Sequence, residues 1–350
     1  MPNNASILSQ WAQRPVIQPV NWSSAKRANC RIWVKRDDLI HPQVSGNKLF
    51  KLFHYVRQAS ALKSAGLISF GGAYSNHLYA LARVASTINL PCVGIIRGEE
   101  NTLQNPTLAE LTHCGMQLEC VGRAEYRQKM DAQFSAQLQE KYPGFYVIPE
   151  GGAGVLGARG FADYAEAVSA QLINENLNIH SVWLPAGTGT SVAGLAAHWP
   201  NIQAVCALAL SEPQPYIQAV AAWTHELQKT ATHLNAHPVV WHGFNIPFGK
   251  LPQAIMECCW AFWCETGLLF DPIYGSKVLF ALQRAFEQGL RDQNILILHT
   301  GGIQGWRGFF TGKHSIPNEF EHAVAHYLTQ TQPFILNDID LKSVAEIRHP

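Results

Sequence analysis

The sequence predicts an α/β fold, and three observations carry that expectation. Short apolar runs alternate with longer amphipathic stretches over most of the chain. Such alternation argues for parallel sheets covered by helices on both faces. Hydrophobic residues make up 47% of the chain and charged residues 15%, as in a globular protein with much apolar surface to bury. A length of 350 residues is ample for one large or two modest domains.

The elements follow in chain order. GLISF (66–70) reads as a strand running into Gly71-Gly72, after which Ser75 opens a helix over 76–88. The apolar runs CVGII (92–96) and QLECV (117–121) read as strands, each followed by an amphipathic helix, over 106–114 and 125–141. A short strand over 146–148 leads into EGGAGVLGARG (150–160), the best candidate for a crossing between two lobes, and then a helix over 157–173. Strands over 181–184 and 203–207 flank a helix over 191–198. The Pro, Gly and His content of 225–252 predicts irregular structure. Helices over 253–265 and 277–288, a strand over 295–299 (ILILH) and one helix around 320–328 complete the reading.

A formal net charge of +1 leaves no electrostatic footprint for nucleic acid or an anionic membrane surface. No stretch approaches the roughly 18 apolar residues that span a bilayer, and the first residues lack a basic region followed by an apolar one. Eight cysteines occur without a C-x-x-C pair, several inside apolar runs. They read as reduced, mostly buried thiols, and the expected compartment is the cytoplasm. The expected ligand is a small molecule in a pocket.

Four segments could carry chemistry. In SGNKLFKLFHYVRQA (45–59), turn and capping residues place Lys48 at the opening of a helix. The macrodipole disfavours a cation there. That placement suits an amine used as an uncharged nucleophile. It is equally compatible with a solvent lysine on an ordinary helix, and Lys51 is a ready decoy. In ISFGGAYSNHLYALARVA (68–85), a strand ends in glycines and Ser75-Asn76-His77 opens a helix, offering N–H groups and a hydroxyl to an anion. A well-capped helix after a tight turn explains the same residues. A Ser75–His77 hydrolase pair lacks both a G-x-S-x-G elbow and a third member.

In VWLPAGTGTSVAGL (182–195), Gly187, Thr188, Gly189, Thr190 and Ser191 give unhindered N–H groups and hydroxyls at a strand-to-helix turn, which suits a phosphate monoester. The segment has neither the Walker Gly-Lys-Ser/Thr nor the dinucleotide spacing. Finally, FDPIYGSKVLFAL (270–282) offers Tyr274 as an acid or base, and ILILHTGGIQG (295–305) offers Thr300 at a strand's C-terminal end, where open α/β sheets gather ligands. His233/His237 and His322/His326 have the i, i+4 spacing of a metal face, but lie in polar stretches without H-E-x-x-H. No metal is expected.

Taken together, KRDDL (35–39), SGNK (45–48), Ser75-Asn76, the Gly/Thr loop, the Tyr274 segment and HTGG (299–302) resemble, in order, the family of 1-aminocyclopropane-1-carboxylate (ACC) deaminase and D-cysteine desulfhydrase. The resemblance covers roughly residues 31 to 305. It implies a pyridoxal 5'-phosphate (PLP) enzyme of fold type II, related to the tryptophan synthase β chain, with two lobes that are each an open, mostly parallel sheet. It further implies a large PLP-binding domain of residues 1–51 and 155–350, a small domain of residues 52–154, and a homodimer.

Carried over by position, Lys48 resembles the Schiff-base lysine and Asn76 the residue bonded to the cofactor's phenolic oxygen. Ser75 resembles the group near the substrate carboxylate, with His77 and Tyr74 beside it on the substrate side. Gly187 to Ser191 resemble the phosphate cup, Tyr274 the active-site tyrosine and Thr300 the residue near the pyridine nitrogen. The chain also departs from the family. Tyr74 stands where the family commonly has Gln, Gly275 replaces an acidic residue of the deaminase branch, and Thr300 replaces that branch's Leu. These differences favour a D-cysteine desulfhydrase-like lyase over ACC deaminase. A weakly catalytic PLP-binding relative is the alternative of another class.

Overall fold

The computed structural model describes residues 16–40, 44, 46–99, 105–129, 131–207, 212–229, 239–243, 246, 249–309 and 316–331. Ten strands form two sheets among these residues: β1 Ile17–Val20, β2 Arg31–Arg36, β3 Gly66–Gly71, β4 Cys92–Arg97, β5 Met116–Val121, β6 Phe145–Val147, β7 Ser181–Ala186, β8 Ile202–Cys206, β9 Val239–His242 and β10 Asn294–His299. The larger sheet has the order β1-β2-β10-β7-β8-β9 and the smaller β5-β4-β3-β6. Every pairing is parallel except β1 with β2.

The helices are α1 Ser23–Arg27, α2 Lys48–Ala61, α3 Asn76–Thr87, α4 Pro106–His113, α5 Arg123–Tyr126, α6 Ala132–Lys141, α7 Val155–Asn174, α8 Thr190–Ala196, α9 Pro213–Lys229, α10 Gln253–Thr266, α11 Gly275–Glu287 and α12 Asn318–Thr331. Short 3-10 turns occupy Asp37–Leu39, Glu150–Gly152 and Ile303–Gly308.

The predicted α/β architecture is therefore observed, and the strands expected from apolar runs lie within a residue or two of their places. The differences have physical causes. The helix expected over 125–141 is two helices, because Asp131 is extended (φ −77°, ψ 143°) and starts a second one at Ala132. β2 carries Lys35 next to its last residue, fully buried, a poor strand signal until its partner is seen: Asp37 Oδ1 lies 2.5 Å from Lys35 Nζ. Pro19 suits β1, an edge strand with no neighbour beyond it. Within 225–252, expected to be irregular, the described residues include the end of α9 and the whole of β9. The helix expected near 320–328 is α12.

Close approach of three helices fixes α2 relative to the loop after β7. A Cβ on Gly160 of α7 would come within 2.0 Å of Phe50 O on α2. One on Gly194 of α8 would come within 2.2 Å of Ala158 O on α7. Only glycine lets these backbones touch. The start of α2, which carries Lys48, is thereby held beside the Gly/Thr loop.

Candidate active site

Lys48 is the first residue of α2, and Gly46 just before it explains the local chain path. Gly46 has φ +90°, and a Cβ there would lie 2.1 Å from Thr300 O. Asn47 N donates to the same carbonyl at 3.3 Å. The SGNK turn is thus pressed onto the turn that ends β10; Ser45 lies outside the described residues. His299 shapes that turn from below: Nδ1 accepts from Gly301 N at 3.2 Å while Nε2 sits 2.5 Å from Leu269 O.

Lys48 Nζ donates to Asn47 Oδ1 at 3.0 Å and lies 5.8 Å from the centre of the Tyr274 ring. Burial pulls its ammonium down to about 8, with Asp271 opposing the shift. A lysine so placed is partly neutral near physiological pH, as a nucleophile must be. Lys51, one turn on, is buried, and burial and the Lys48 charge hold it well below the ordinary lysine range. Its Nζ is 3.3 Å from Thr188 Oγ1. Lys51, read from the sequence as a decoy, faces the loop. The i, i+3 spacing from Lys48 was the available signal.

The loop itself is compact. Thr188 Oγ1 and Thr190 Oγ1 are 2.8 Å apart, and Asn47 Nδ2 reaches Ser191 Oγ at 3.5 Å. Gly189 has φ +75°, and a Cβ on it would meet Val220 at 2.2 Å. A Cβ on Gly187 would meet the Tyr274 ring at 3.1 Å. A lysine amine with a lowered pKa, a second buried lysine facing the loop hydroxyls, and a turn of glycines and short hydroxyl residues together fit a phosphate-bearing aldehyde cofactor.

Tyr274 precedes α11, and Asp271 fixes it. The buried carboxylate accepts from the N–H groups of Ile273 (3.0 Å), Tyr274 (2.7 Å) and Gly275 (2.7 Å). Burial, then Asp271 and Glu150, push the Tyr274 phenol above its ordinary range, so it holds its proton. Gly275 has a packing reason that the sequence concealed. A Cβ there would lie 2.7 Å from Phe270 and 2.8 Å from Asp271 Oδ2.

On the smaller sheet, Ser75 caps α3, its Oγ accepting from Leu78 N at 3.2 Å. Gly71 makes room for it, since a Cβ there would fall 2.6 Å from Ser75. Asn76 Oδ1 accepts from Gln304 Nε2 at 2.8 Å, and Gly302 leaves space for Asn76 Nδ2. His77 is buried and pairs with Ser69, not Ser75: Nε2 lies 2.8 Å from Ser69 Oγ, which donates to Ile148 O at 2.8 Å. The Ser75–His77 hydrolase pair is therefore absent. Burial, Lys48 and Lys51 bring the His77 imidazole down to about 3, and its Nδ1 has no partner. Tyr74 is 42% exposed, with its ring over Gly308.

Other candidates carry no chemistry. In KRDDL, Asp37 also accepts from Tyr164, and Asp38 binds Arg36 and Tyr327, so the motif braces β2 behind the site. Among the described residues no group of His, Cys, Asp or Glu could hold a metal, and no helix is long and apolar enough to cross a membrane. His233 and His237 lie outside the described residues.

Comparison with known proteins agrees with this geometry. A family model described as pyridoxal-phosphate dependent enzyme matches residues 10–301. A D-cysteine desulfhydrase of Salmonella schwarzengrund is 31% identical over 293 residues, covering 77% of this chain and 86% of its own. A Pyrococcus abyssi protein provisionally named a 1-aminocyclopropane-1-carboxylate deaminase is 26% identical over 281 residues, covering 78% of this chain and 85% of its own. The crystal structure of an ACC deaminase homologue shares the fold, with a TM-score of 0.74 at 21% identity over 89% of this chain and 98% of that one. The chain belongs to the pyridoxal-phosphate dependent enzymes, in the group that holds the ACC deaminases and D-cysteine desulfhydrases.

Proposed function

We propose that the chain is a D-cysteine desulfhydrase-like lyase, converting D-cysteine and water to pyruvate, hydrogen sulfide and ammonia. One observation carries the reading: Lys48, whose amine titrates near 8, lies 5.8 Å from the ring of Tyr274, a phenol that holds its proton. Elimination across Cα and Cβ needs both partners, a base to take the Cα proton and an acid to meet the departing sulfur. Lys48 is the base and Tyr274 the acid.

Bound PLP supplies an electron sink for the pair left at Cα. Lys48 would carry the cofactor, and the Gly187, Thr188, Gly189, Thr190 and Ser191 turn, together with Lys51, would hold its phosphate. Asn76 would bond its ring oxygen and Thr300 its ring nitrogen. Ser75, capping α3, receives the substrate carboxylate with the α3 N-terminus. His77 stays neutral beside the two lysines and adds no charge to their pocket. Tyr74 closes the outer side.

Residues 1–51 and 155–350 form the large domain of this reading and residues 52–154 the small one, in keeping with the two separate sheets. A homodimer goes with it, measurable by light scattering. The function is tested with Tyr274→Phe. Wild type should release pyruvate and sulfide from D-cysteine, and the variant should bind cofactor normally yet turn over about 10²-fold more slowly, the scale of a lost acid–base group. Normal turnover in the variant would reduce Tyr274 to packing.

A further inference from the structure

Three neighbouring parallel strands of the smaller sheet run straight into glycine: β3 into Gly72, β4 into Gly98 and β5 into Gly122. All three line a cleft of about 1010 Å³ at the C-terminal edge of that sheet, where open α/β sheets place ligands. Gly98 has φ +155° and is demanded by its conformation. The other two are not. Gly122 has φ −56°, and a Cβ on it would meet nothing within 4 Å. A Cβ on Gly72 would make only ordinary contact, 3.6 Å from Arg97 Nη2. Glycine at two positions that neither backbone nor packing requires leaves room for a ligand to approach the chain.

The charges around the cleft fit an anion. Among the described residues, Arg97, Arg123, Arg127 and Lys129 line it against Glu99 and Glu150. This excess of two positive charges stands out in a chain whose whole formal charge is +1. Two of the cations are held in place: Arg97 and Lys129 flank the buried Tyr126 ring at 5.8 and 4.8 Å. Lys129 also pairs with Glu150 at 3.3 Å, which offsets one of the two carboxylates.

The cleft adjoins the catalytic centre through two segments. Gly72 and Ala73, in its wall, lead directly into the Tyr74-Ser75-Asn76 turn. Glu150, also in its lining, is followed by Gly151, where a Cβ would lie 2.8 Å from Thr188 Cγ2.

We propose that this cleft is an anion subsite at the mouth of the catalytic centre, taking a phosphate-like dianion carried by a small molecule. Two sources share that chemistry: a distal group on the amino-acid substrate itself, or a separate small anion that binds beside it. The first source rests on the proposed function; the second does not.

The test uses the PLP-loaded enzyme, so that the cofactor's own phosphate site is filled. Inorganic phosphate is titrated calorimetrically at constant ionic strength into wild type, Arg97→Ala/Arg127→Ala and Arg97→Lys/Arg127→Lys. KM is measured for D-cysteine and for O-phospho-D-serine. The latter plus one water gives pyruvate, ammonia and phosphate: the Cα proton is lost, and the Cβ–O bond breaks with its electron pair on the phosphate. The double alanine variant should bind phosphate roughly 10-fold more weakly, the scale of two exposed charge contacts, and the lysine variant should recover most of the loss. KM for D-cysteine should not move. A matching rise in KM for O-phospho-D-serine alone assigns the subsite to the substrate, whereas phosphate binding with that KM unmoved assigns it to a separate anion. Phosphate binding that is absent, or equal in wild type and double alanine variant, overturns the proposal. If phosphate binds through the arginines while neither amino acid is consumed, the subsite stands and the D-cysteine reading falls.

Discussion

Gln304 Nε2 donates to Asn76 Oδ1 across 2.8 Å, joining the 3-10 turn Ile303–Gly308 after β10 to the first residue of α3 on the smaller sheet. The bond fixes the Asn76 amide, turning Nδ2 away from Gln304 and leaving it free to serve as a donor. Gln304 is buried, and its own Oε1 has no partner. The same turn reaches the smaller sheet a second time, since Arg307 Nη1 donates to Glu110 Oε1 on α4. Gln304 thus orients Asn76.

Gln304→Ala should loosen that amide and shift the visible absorption of bound PLP, with roughly 5- to 10-fold weaker cofactor binding, about the net value of one hydrogen bond. Asn76→Ala should cost at least as much, because it also removes the donor proposed for the ring oxygen. The double variant should be no worse than Asn76→Ala alone, because Gln304 then has nothing left to orient. Additive losses, read by absorption and PLP dissociation, would show that the two residues act separately.

Lys48 and Lys51 should separate cleanly by chemistry. Borohydride reduction of the PLP-loaded enzyme should fix the label on Lys48, found by peptide mapping. Lys51→Ala should keep that labelling but weaken PLP binding by about 10-fold or more, because it removes a buried amine that faces the phosphate loop as a hydrogen-bond donor. A label on Lys51 would overturn the assignment of both lysines.

Much of this site was legible in the sequence, and what was not has specific causes. The parallel strands showed through because strands buried on both faces are continuous apolar runs, as in β3, β4 and β10. β2 did not, since Lys35 is tolerable there only with Asp37 beside it. Lys48 could be placed at a helix start, but the role of Lys51 depends on Thr188, 137 residues away. Gly275 misled most. It looked like the loss of an acid, whereas Phe270 and Asp271 occupy the space its side chain would need. The contrast with the deaminase branch at that position therefore reflects packing as well as chemistry.

His77 should make the protein sensitive to acid. Its imidazole titrates near 3 when folded, against an ordinary value of 6.5. The unfolded chain therefore takes up a proton between those values that the folded chain refuses. The stability associated with His77 is fully present above pH 6.5 and is lost as pH falls from 6.5 toward 3. In His77→Gln, whose amide can still donate to Ser69, the decline in denaturation midpoint over that window should be shallower than in wild type. Parallel pH profiles would mean that His77 does not set this slope.

The substrate prediction turns on a proton. D-cysteine carries a hydrogen on Cα that Lys48 can take, and ACC carries none. Both are small zwitterions, so the carboxylate end of either could occupy the α3 N-terminus at Ser75. Discrimination should therefore arise in chemistry more than in binding. Adding ACC should perturb the visible absorption of the PLP-loaded enzyme and inhibit pyruvate release competitively, with no 2-oxobutanoate formed. Gly275 sharpens the expectation. An acidic side chain at that position would collide with Phe270 and Asp271, so the group that the deaminase branch carries there has no room in this chain. Asp271 does not substitute for it, because its oxygens already accept from three backbone N–H groups. Gly275→Glu should consequently destabilise the protein, lowering its thermal midpoint, without conferring ACC turnover. Brisk 2-oxobutanoate formation from ACC by the wild-type enzyme, with no pyruvate from D-cysteine, would reverse the assignment and require ring opening to proceed by a route that needs neither a Cα proton nor an acid at residue 275.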